Sequence, residues 1–277
     1  MSGGQLAGKV AFVTGAGSAG PGLGNGKAVA RLFAAEGARV FACDINPAAA
    51  AQTQAEIEAE GGTCAIAQGD VSSAADVARM VSDCLACYGP INVLHNNVGI
   101  FRPGSVTDLS EEAWDLVITT NLRSLFLTCR HVIPVMERQG GGAIVNIGSI
   151  SGQRFMGLPL IAYATSKGAV VSFTQALAAQ YARAGIRANC VIPGVIDTPV
   201  MAIASDEAYS AQFGGGDVAA MHAARAAVIP MGRFGSGWDV ARASLFLASD
   251  AASYITGTSL TVDGGLSTVA PTPPRHS

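Results

Sequence analysis

The sequence predicts one α/β domain built on a doubly wound parallel sheet of about seven strands, with helices on both faces. Apolar runs bounded by turn residues alternate with longer helical patterns along the whole chain, which is typical of repeated β-α-β units. Several runs, "VAFV", "ARVFAC" and "AIVNI", are continuously apolar and β-branched, as expected for strands covered on both faces. The 277 residues are 49% hydrophobic and 13% charged, enough to bury one large core.

The elements follow in order from this alternation. The crossovers are expected to be right-handed, and ligands to lie at the carboxyl ends of the strands. Residues 199–236 interrupt the pattern: a Gly214-Gly215-Gly216 run beside apolar residues predicts a substrate lid, with an ordinary helical insert as the alternative. The proline-rich end, 267–277, is predicted to be a disordered tail of this single domain, 1–277. Strands are predicted near residues 9–14, 38–43, 63–67, 91–96, 143–148, 187–192 and 258–262.

The first strand runs into a glycine-rich loop, "TGAGSAGPGLGNGKA". A nucleotide-cleaving P-loop would need glycine where Pro21 stands and a hydroxyl where Ala28 stands, so that interpretation is excluded. A dinucleotide site needs a tight turn after a strand, bare backbone against the pyrophosphate, and a helix N-terminus that faces it. Gly15 provides the turn, Gly22 and Gly24 provide the bare backbone, and "NGKAVARLFAAEG" provides the helix.

The second strand ends in Asp44, which follows Gly24 by 20 residues. A carboxylate at this place accepts from both ribose hydroxyls of NAD and repels the extra phosphate of NADP. Neither Ile45 nor Asn46 supplies a compensating cation, so NAD is the expected cofactor. The alternative is an aspartate that caps the next helix, a role that Asn46 fills equally well. Two further strand ends, "GDV" and "HNNVG", would meet the adenine and the ribose.

The most specific candidate catalytic residues lie in the stretches "IVNIGSISG" and "AYATSKGA". Tyr163 and Lys167 are four residues apart and share one face of a helix. A free phenol has a pKa of about 10, and a neighbouring ammonium favours the phenolate. Tyr163 can then take the proton of an alcohol, or return it to a carbonyl, while hydride moves to or from a nicotinamide. Ser149, just past the fifth strand, can hydrogen-bond the reacting oxygen and fix its position.

In these motifs the chain resembles the short-chain dehydrogenase/reductase family, from about residue 6 to residue 266. The resemblance implies a Rossmann-type fold and a homotetramer. It also implies a tetrad in which Asn121 joins the serine, tyrosine and lysine and positions a water that relays the proton to solvent. The matching signatures are Thr14-Gly15 with Gly22 and Gly24, Asp70, "NNVG", Asn121, Ser149, Tyr163 with Lys167, "PGVIDTP" and "VDGG".

The same resemblance implies a path for the cofactor. Lys167 would bind the nicotinamide ribose, while Ile196 and Thr198 would hold the carboxamide. The remaining contacts would come from Leu23, Asp44, Ile45, Asp70, Val71, Asn97, Val98 and Gly99.

Two departures from the family pattern fall on the cofactor side. The family places three residues between its first two glycines, whereas six lie between Gly15 and Gly22, so residues 19–21 are interpreted as a three-residue insertion. Which loop amides meet the pyrophosphate, and whether the candidate contact Ser18 reaches it, is left open. Val98 replaces the family's usual alanine, and we expect the cofactor to tolerate it because backbone atoms make most contacts there.

Composition excludes several classes of function. The net charge is −3 and there are no basic runs, which argues against nucleic acid or a membrane surface as a partner. No N-terminal apolar stretch has signal-peptide or spanning length, so a cytoplasmic protein is expected. The six cysteines are interpreted as reduced core thiols. Cys84 and Cys87 form C-x-x-C, but no second pair completes a metal site, so no metal is expected.

The sequence therefore predicts an NAD-dependent oxidoreductase that interconverts a secondary alcohol and a ketone. The predicted substrate side contains aromatic and apolar residues, Ile100 and Phe101 among them, and one cation, Arg154. This mixture suits a cyclic, aromatic or modestly anionic alcohol. One alternative is an NAD-binding sensor or structural protein without turnover, against which the intact tetrad argues. Another is an epimerase or dehydratase, which usually needs a larger C-terminal domain. The predicted substrate contacts are Ser151, Gln153, Arg154, Phe155 and Met201.

Overall fold

A parallel sheet forms the centre of the fold. The structure is a computed structural model that describes residues 4–18, 20, 22–199 and 218–269. The strands are β1 (Val10–Thr14), β2 (Arg39–Asp44), β3 (Thr63–Gln68), β4 (Val93–Asn96), β5 (Gly142–Ile147), β6 (Ile186–Pro193), β7 (Ile196–Asp197), β8 (Gly235–Ser236) and β9 (Ser259–Val262). Seven of them form one sheet in the order β3-β2-β1-β4-β5-β6-β9, with every neighbouring pair parallel. β7 and β8 pair separately.

Helices connect the strands. They are α1 (Asn25–Ala35), α2 (Pro47–Ala59), α3 (Ala74–Tyr88), α4 (Glu111–Ile118), α5 (Ser124–Arg138), α6 (Ile161–Tyr181), α7 (Val218–Ala227) and α8 (Gly237–Ala248). A π-helical turn, Thr119–Arg123, joins α4 to α5, and a 3₁₀ turn, Ile150–Gly152, follows β5. Among the described helices, none combines the length and apolar character needed to cross a bilayer.

The core lies on both faces of the sheet. Ala11 and Val13 of β1 face the cluster that α1 and α8 complete, whereas Val10 and Phe12 face the cluster that α3, α5 and α6 complete. This two-sided burial is why the strand sequences are continuously apolar rather than alternating. The predicted fold class is therefore confirmed, and each of the seven predicted strands overlaps a strand of the central sheet.

Three features differ from the sequence expectation or fall beyond it. The pair β7–β8 was not predicted, because two-residue strands carry no readable period. Residues 200–217 of the predicted lid, 199–236, including Met201, lie outside the described residues, whereas α7 and β8 fall within its described part. The predicted tail starts too early, since Leu266–Thr268 form a 3₁₀ turn. Residues 270–277 lie outside the described part.

The topology places a crevice at the carboxyl ends of β1 and β4. β1 pairs with β2 on one side and with β4 on the other. Chain order reverses at this point, and open parallel sheets bind ligands where it does. The glycine loop and the segments after β2, β4 and β5 all leave the sheet at this edge.

Candidate functional site

In the glycine-rich loop between β1 and α1, the first turn of α1 packs directly against the backbone of Gly15. Gly15 has a φ of 61°, in the left-handed region that favours glycine. A Cβ on Gly26, in the first turn of α1, would lie 1.9 Å from Gly15 O. Gly26 thus fills the role of close helix–strand packing that a dinucleotide loop requires. Sequence reasoning missed it, although the G-x-G spacing of Gly24 and Gly26 directly before Lys27 was a readable signal.

Two buried polar atoms in this loop have no hydrogen-bond partner among the described residues: Ser18 Oγ and Asn25 Oδ1. Gly24, the N-cap of α1, supplies no side-chain cap, so the first amides of the helix face the loop uncapped. Uncapped amides at a helix N-terminus suit the pyrophosphate of a dinucleotide. The loop therefore fits this cofactor, with Ser18 and the α1 amides as its candidate contacts. Gly22 is exposed and Leu23 is half-buried beside them.

Asp44 lies at the end of β2, where the sequence predicts the adenosine of the cofactor. Its Oδ2 accepts from the Gly17 amide at 2.8 Å and its Oδ1 from the Asn46 amide at 2.9 Å. Asn46, not Asp44, caps α2 by accepting from Ala48 and Ala49. None of the ion pairs formed by the described residues includes Asp44. Ile45 is 65% exposed next to it.

The strand ends after β3 and β4 continue the crevice. Asp70 accepts from the amide and hydroxyl of Ser72 at 2.8 and 2.7 Å, which fixes the turn into α3, and Val71 beside it is 6% exposed. Asn97 Nδ2 donates to Gly15 O at 3.0 Å, so the β4 end is tied to the glycine loop. Val98 lies close enough that a Cβ on Gly15 would be 3.0 Å from its Cγ2.

Lys167 is the most confined charged group of the site. It is 3% exposed, and its Nζ donates to Ile147 O at 2.8 Å. Burial lowers the pKa of Lys167 to about 8, partly offset by the nearby Cys190 thiol. Gly99 passes so close that a Cβ there would be 2.9 Å from Nζ. The ammonium is therefore held between β5, β6 and the segment after β4.

Tyr163 lies one helical turn before Lys167, and the lysine Nζ is 5.9 Å from the centroid of its ring. Phe101 packs edge-on against the same ring at 6.1 Å. Ser149 is 8% exposed at the end of β5 and accepts from the Ser151 amide at 3.2 Å. The structure thus brings the predicted tyrosine, lysine and serine to one edge of the sheet.

Glycine packing sets the distance between Ser149 and α6. A Cβ on Gly152 would lie 2.4 Å from the Gly168 amide and 2.5 Å from the Lys167 carbonyl carbon. The turn after Ser149 therefore rests directly on the helix that carries Tyr163. Sequence analysis did not single out this pair, because contact between a loop and a later helix has no local pattern.

Asn121 lies in the π-helical turn between α4 and α5 and is fully buried. Its Oδ1 accepts from the Ile100 amide and its Nδ2 donates to Ile100 O, both at 2.8 Å, and Nδ2 also reaches Ser166 Oγ at 3.0 Å. Ser166 in turn donates to Tyr163 O at 2.8 Å. Asn121 therefore links the segment after β4 to α6, and the widened helical turn aims its side chain inward.

A buried polar network beneath the site was not foreseen. Asn96 Nδ2 donates to Asn146 Oδ1 at 2.9 Å, and Asn146 Nδ2 donates to Thr174 Oγ1 at 2.9 Å. Thr128 Oγ1 donates to Asn96 Oδ1 at 2.8 Å. All four residues are 3% exposed or less. The network joins α5, β4, β5 and α6, the elements that carry or adjoin Asn121, Gly99, Ser149 and Tyr163.

The predicted substrate residues separate into two groups. Gln153 is exposed, Phe155 is 76% exposed, and Ser151 is half-buried. Arg154 instead donates to backbone carbonyls near the C-terminus. Met201 lies outside the described residues. Of the predicted carboxamide contacts, Ile196 is 5% exposed within the core and Thr198 is half-buried.

The cysteines are all unpaired thiols, and Cys87 is the exposed one. Burial raises the pKa of Cys84 to about 12. Within the described ranges, no group of three or more His, Cys, Asp or Glu side chains comes close enough to hold a metal ion.

Sequence comparisons find relatives along almost the whole chain. A family model described as enoyl-(acyl carrier protein) reductase matches residues 22–267. A 2,5-dichloro-2,5-cyclohexadiene-1,4-diol dehydrogenase of Sphingobium indicum is 35% identical over 263 residues, covering 95% of this chain and 98% of the relative. A 3-oxoacyl-[acyl-carrier-protein] reductase of Chlamydia trachomatis is 40% identical over 265 residues, covering 95% and 99%.

Solved structures agree with these relatives. A Burkholderia xenovorans protein assigned to the short-chain dehydrogenases/reductases has a TM-score of 0.91 and 44% identity, covering 97% of this chain and 100% of that one. A gluconate 5-dehydrogenase of Burkholderia cenocepacia, solved with NADP and tartrate, has a TM-score of 0.84 and 31% identity, covering 96% and 97%.

Proposed function

Because the chain belongs to the short-chain dehydrogenase/reductase family, we propose that it is an NAD-dependent oxidoreductase that interconverts a secondary alcohol and a ketone. The observation that carries this proposal is a buried ammonium, Lys167, fixed by Ile147 O one helical turn from Tyr163. When bound, the nicotinamide cofactor supplies the acceptor or donor of hydride.

The residues divide the proton chemistry among them. Tyr163 takes the hydroxyl proton of the alcohol, or returns it to the ketone. Lys167 favours the phenolate by its charge, and a pKa of about 8 leaves it mostly protonated at neutral pH. Ser149 donates to the reacting oxygen and fixes its distance from the phenol. Asn121 holds the segment at Ile100 and positions the water that carries the proton to solvent.

The preference for NAD follows from the charges around the end of β2. The Asp44 carboxylate stands where an extra ribose phosphate would enter, and a negative group there repels it. The two cations of α1 are engaged in ion pairs elsewhere: Lys27 with Glu56 at 2.5 Å, and Arg31 with Glu56 at 3.1 Å. The gluconate 5-dehydrogenase was solved with NADP, which describes the cofactor of that protein and not of this chain. This chain is proposed to select the unphosphorylated dinucleotide.

A neutral cyclic or aromatic alcohol fits the substrate side best. Phe101 stands edge-on to Tyr163, and Phe155 is exposed in the loop between Ser149 and Tyr163. The curated relative that acts on a chlorinated cyclohexadiene diol has a ring substrate of this kind. Arg154, the cation that allowed an anionic substrate, has its Nη1 engaged by backbone carbonyls.

A panel assay tests the function. Purified protein is mixed with NAD and a range of secondary alcohols, and the absorbance of reduced nicotinamide is followed. Net reduction on a ring alcohol supports the proposal. Tight NAD binding without reduction on any alcohol would instead favour a sensor protein.

Asp44 variants test the cofactor preference in the same assay. Asp44→Ala and Asp44→Arg should lower the ratio of NAD to NADP efficiency, by about tenfold and more than tenfold respectively, because repulsion is removed and then reversed. An unchanged ratio in both variants would remove Asp44 from this role.

We also propose that the chain forms a cytoplasmic homotetramer. On one face of the sheet, Leu116 of α4 and Phe126 of α5 are 45% and 48% exposed, and on the other face Phe246 of α8 is 39% exposed. Both faces of the sheet therefore carry exposed apolar side chains that suit symmetric partners. Light scattering at micromolar concentration tests this, and a monomer would contradict it.

A further inference from the structure

The loop that joins Ser149 to Tyr163 carries a cation that is used inside the molecule. Arg154 is half-buried, and its Nη1 donates to two backbone carbonyls near the C-terminus, Leu266 O at 3.0 Å and Val269 O at 3.2 Å. Its backbone amide donates to Ile150 O at 3.0 Å. The side chain therefore extends from the turn that follows Ser149 to the carbonyls of Leu266 and Val269.

Residues 263–269, here called the C-terminal segment, form a compact turn. The Asp263 carboxylate accepts from the amides of Gly265 at 2.9 Å and Ser267 at 2.6 Å. The Thr268 amide donates to Gly265 O at 2.9 Å. These bonds give the segment its own shape, but they do not fix it against the substrate side.

Packing places the C-terminal segment between two other parts of the site. Leu266 is 8% exposed and belongs to a cluster with Ile150, next to Ser149, and with Ile229, which follows α7. The Met231 amide donates to Gly264 O at 3.1 Å. The segment therefore touches both the loop after Ser149 and the chain that returns from the lid region.

We infer that Arg154 is a positioning residue, which ties the C-terminal segment to the loop between Ser149 and Tyr163 and so makes that segment a fixed wall of the substrate site. A planar guanidinium can hold two carbonyls in a set geometry, whereas a lysine ammonium holds them less specifically. Charge-assisted hydrogen bonds of this kind are stronger than neutral ones. The substrate-side consequence rests on the proposed function; the tie itself does not.

The test uses the full-length chain with Arg154→Met, Arg154→Lys and the control Arg102→Met. Arg102 is exposed and donates to the carbonyl of its neighbour Phe101 at 2.9 Å, so its removal changes the charge equally without removing a bond to the C-terminal segment. Hydrogen–deuterium exchange of a peptide covering 263–269 should accelerate about tenfold in Arg154→Met, and less in Arg154→Lys. The control should exchange like wild type.

Kinetics on a neutral ring alcohol supply the second readout. In Arg154→Met the KM for the alcohol should rise about tenfold, while kcat stays within about twofold and NAD affinity is unchanged, because the wall and not the proton chemistry is disturbed. Unchanged exchange in both Arg154 variants would overturn the inference. It would also be overturned if KM rose only for carboxylate-bearing alcohols and Arg154→Lys restored it, since Arg154 would then bind substrate charge directly.

The exchange measurement separates this inference from the proposed function. If wild type oxidises no alcohol, the proposed function fails, yet faster exchange at 263–269 in Arg154→Met still supports the tie. If wild type is active and the exchange is unchanged, the tie fails alone. Thermal unfolding of each variant shows whether it is folded, and Arg154→Lys remains informative if Arg154→Met is not.

Discussion

The sheet edge around Tyr163 and the glycine-rich loop after β1 differ in how far their polar groups are satisfied within the chain. Around Tyr163, the buried Asn121 and Lys167 side chains have protein hydrogen-bond partners at 2.8 to 3.0 Å. In the loop, Ser18 Oγ and Asn25 Oδ1 are buried without a partner among the described residues. The edge around Tyr163 is thus organised by contacts within the chain, whereas the loop has two buried polar atoms that a ligand could satisfy.

This difference has a physical reason. A proton-transfer group must be held in its reactive geometry throughout the cycle, and a satisfied buried network does this because each rearrangement would leave a polar group unpaired. A cofactor loop gains affinity from groups that the cofactor satisfies. Substitutions around Tyr163 should therefore act mainly on rate, with the buried charge of Lys167 also affecting stability, and substitutions in the loop should act on stability and cofactor affinity.

Tyr163→Phe is expected to have the largest effect. Removal of the hydroxyl eliminates the proposed acid–base group and should lower kcat by about 10³-fold, which corresponds to about 4 kcal/mol. NAD affinity, measured by fluorescence titration, should stay within about twofold, because the loop is untouched. Turnover close to wild type would show that another group carries the proton.

Gly26→Ala breaks the loop instead. Its Cβ would lie 1.9 Å from Gly15 O, so helix α1 must shift, and we expect a loss of about 3 kcal/mol in the free energy of unfolding together with weaker NAD binding. Gly24→Ala is the matched control, since its Cβ would meet Gly17 O at an ordinary 3.4 Å and its φ is −73°. Urea unfolding compares the two. Equal losses would mean that the close approach at Gly26 is not decisive.

The same contrast separates what the sequence could predict from what it could not. Tyr163 and Lys167 could be paired because helical spacing places them on one face, and Asp44 because it ends an apolar strand. The seven main strands were predictable because strands that are buried on both faces have continuous apolar runs in their sequence. These are local signals, read within a single element.

The rest depends on contacts between distant segments. Gly26 was overlooked because only its approach to Gly15 distinguishes it from the other glycines of the loop. The sequence predicts a substrate contact at Arg154, and nothing in it indicates the bonds that Arg154 makes to carbonyls more than a hundred residues later. The buried amide pair Asn96 and Asn146 comes from two strands whose adjacency only the sheet order reveals.

Lys167→Met should stabilise the protein at the cost of activity. Burial lowers the pKa of Lys167 from 10.5 to about 8, so between these values the unfolded chain binds a proton that the folded chain does not. Wild-type stability therefore rises with pH through that window, and at pH 7 the full penalty is present. Allowing for the lost bond to Ile147 O, the variant should be about 2 kcal/mol more stable at pH 7.

That gain in stability should shrink as pH increases from 8 towards 10.5, because the free energy needed to remove the Lys167 proton on folding falls over this range. Thermal unfolding at pH 7, 8.5 and 10 measures the difference between variant and wild type. Lys9→Met is the control, since Lys9 pairs with the exposed Asp250 at the surface. A difference that stays constant with pH would contradict the assignment to Lys167.

The acid-dependent loss of stability that His95→Gln should remove is the smallest of these effects. His95 is fully buried in β4, its Nε2 lies 3.1 Å from Ser244 Oγ, and burial lowers its pKa from 6.5 to about 3. Between these values the unfolded chain binds a proton that the folded chain excludes, so wild type loses stability as pH falls below 6.5. At pH 5.5 this loss is about 1.4 kcal/mol relative to neutral pH, and His95→Gln should lack it. Urea unfolding at pH 7 and 5.5 measures it. Ser244→Ala, which keeps the buried ring, should retain the loss; if it vanished there too, the hydrogen bond rather than burial would control the protonation of His95.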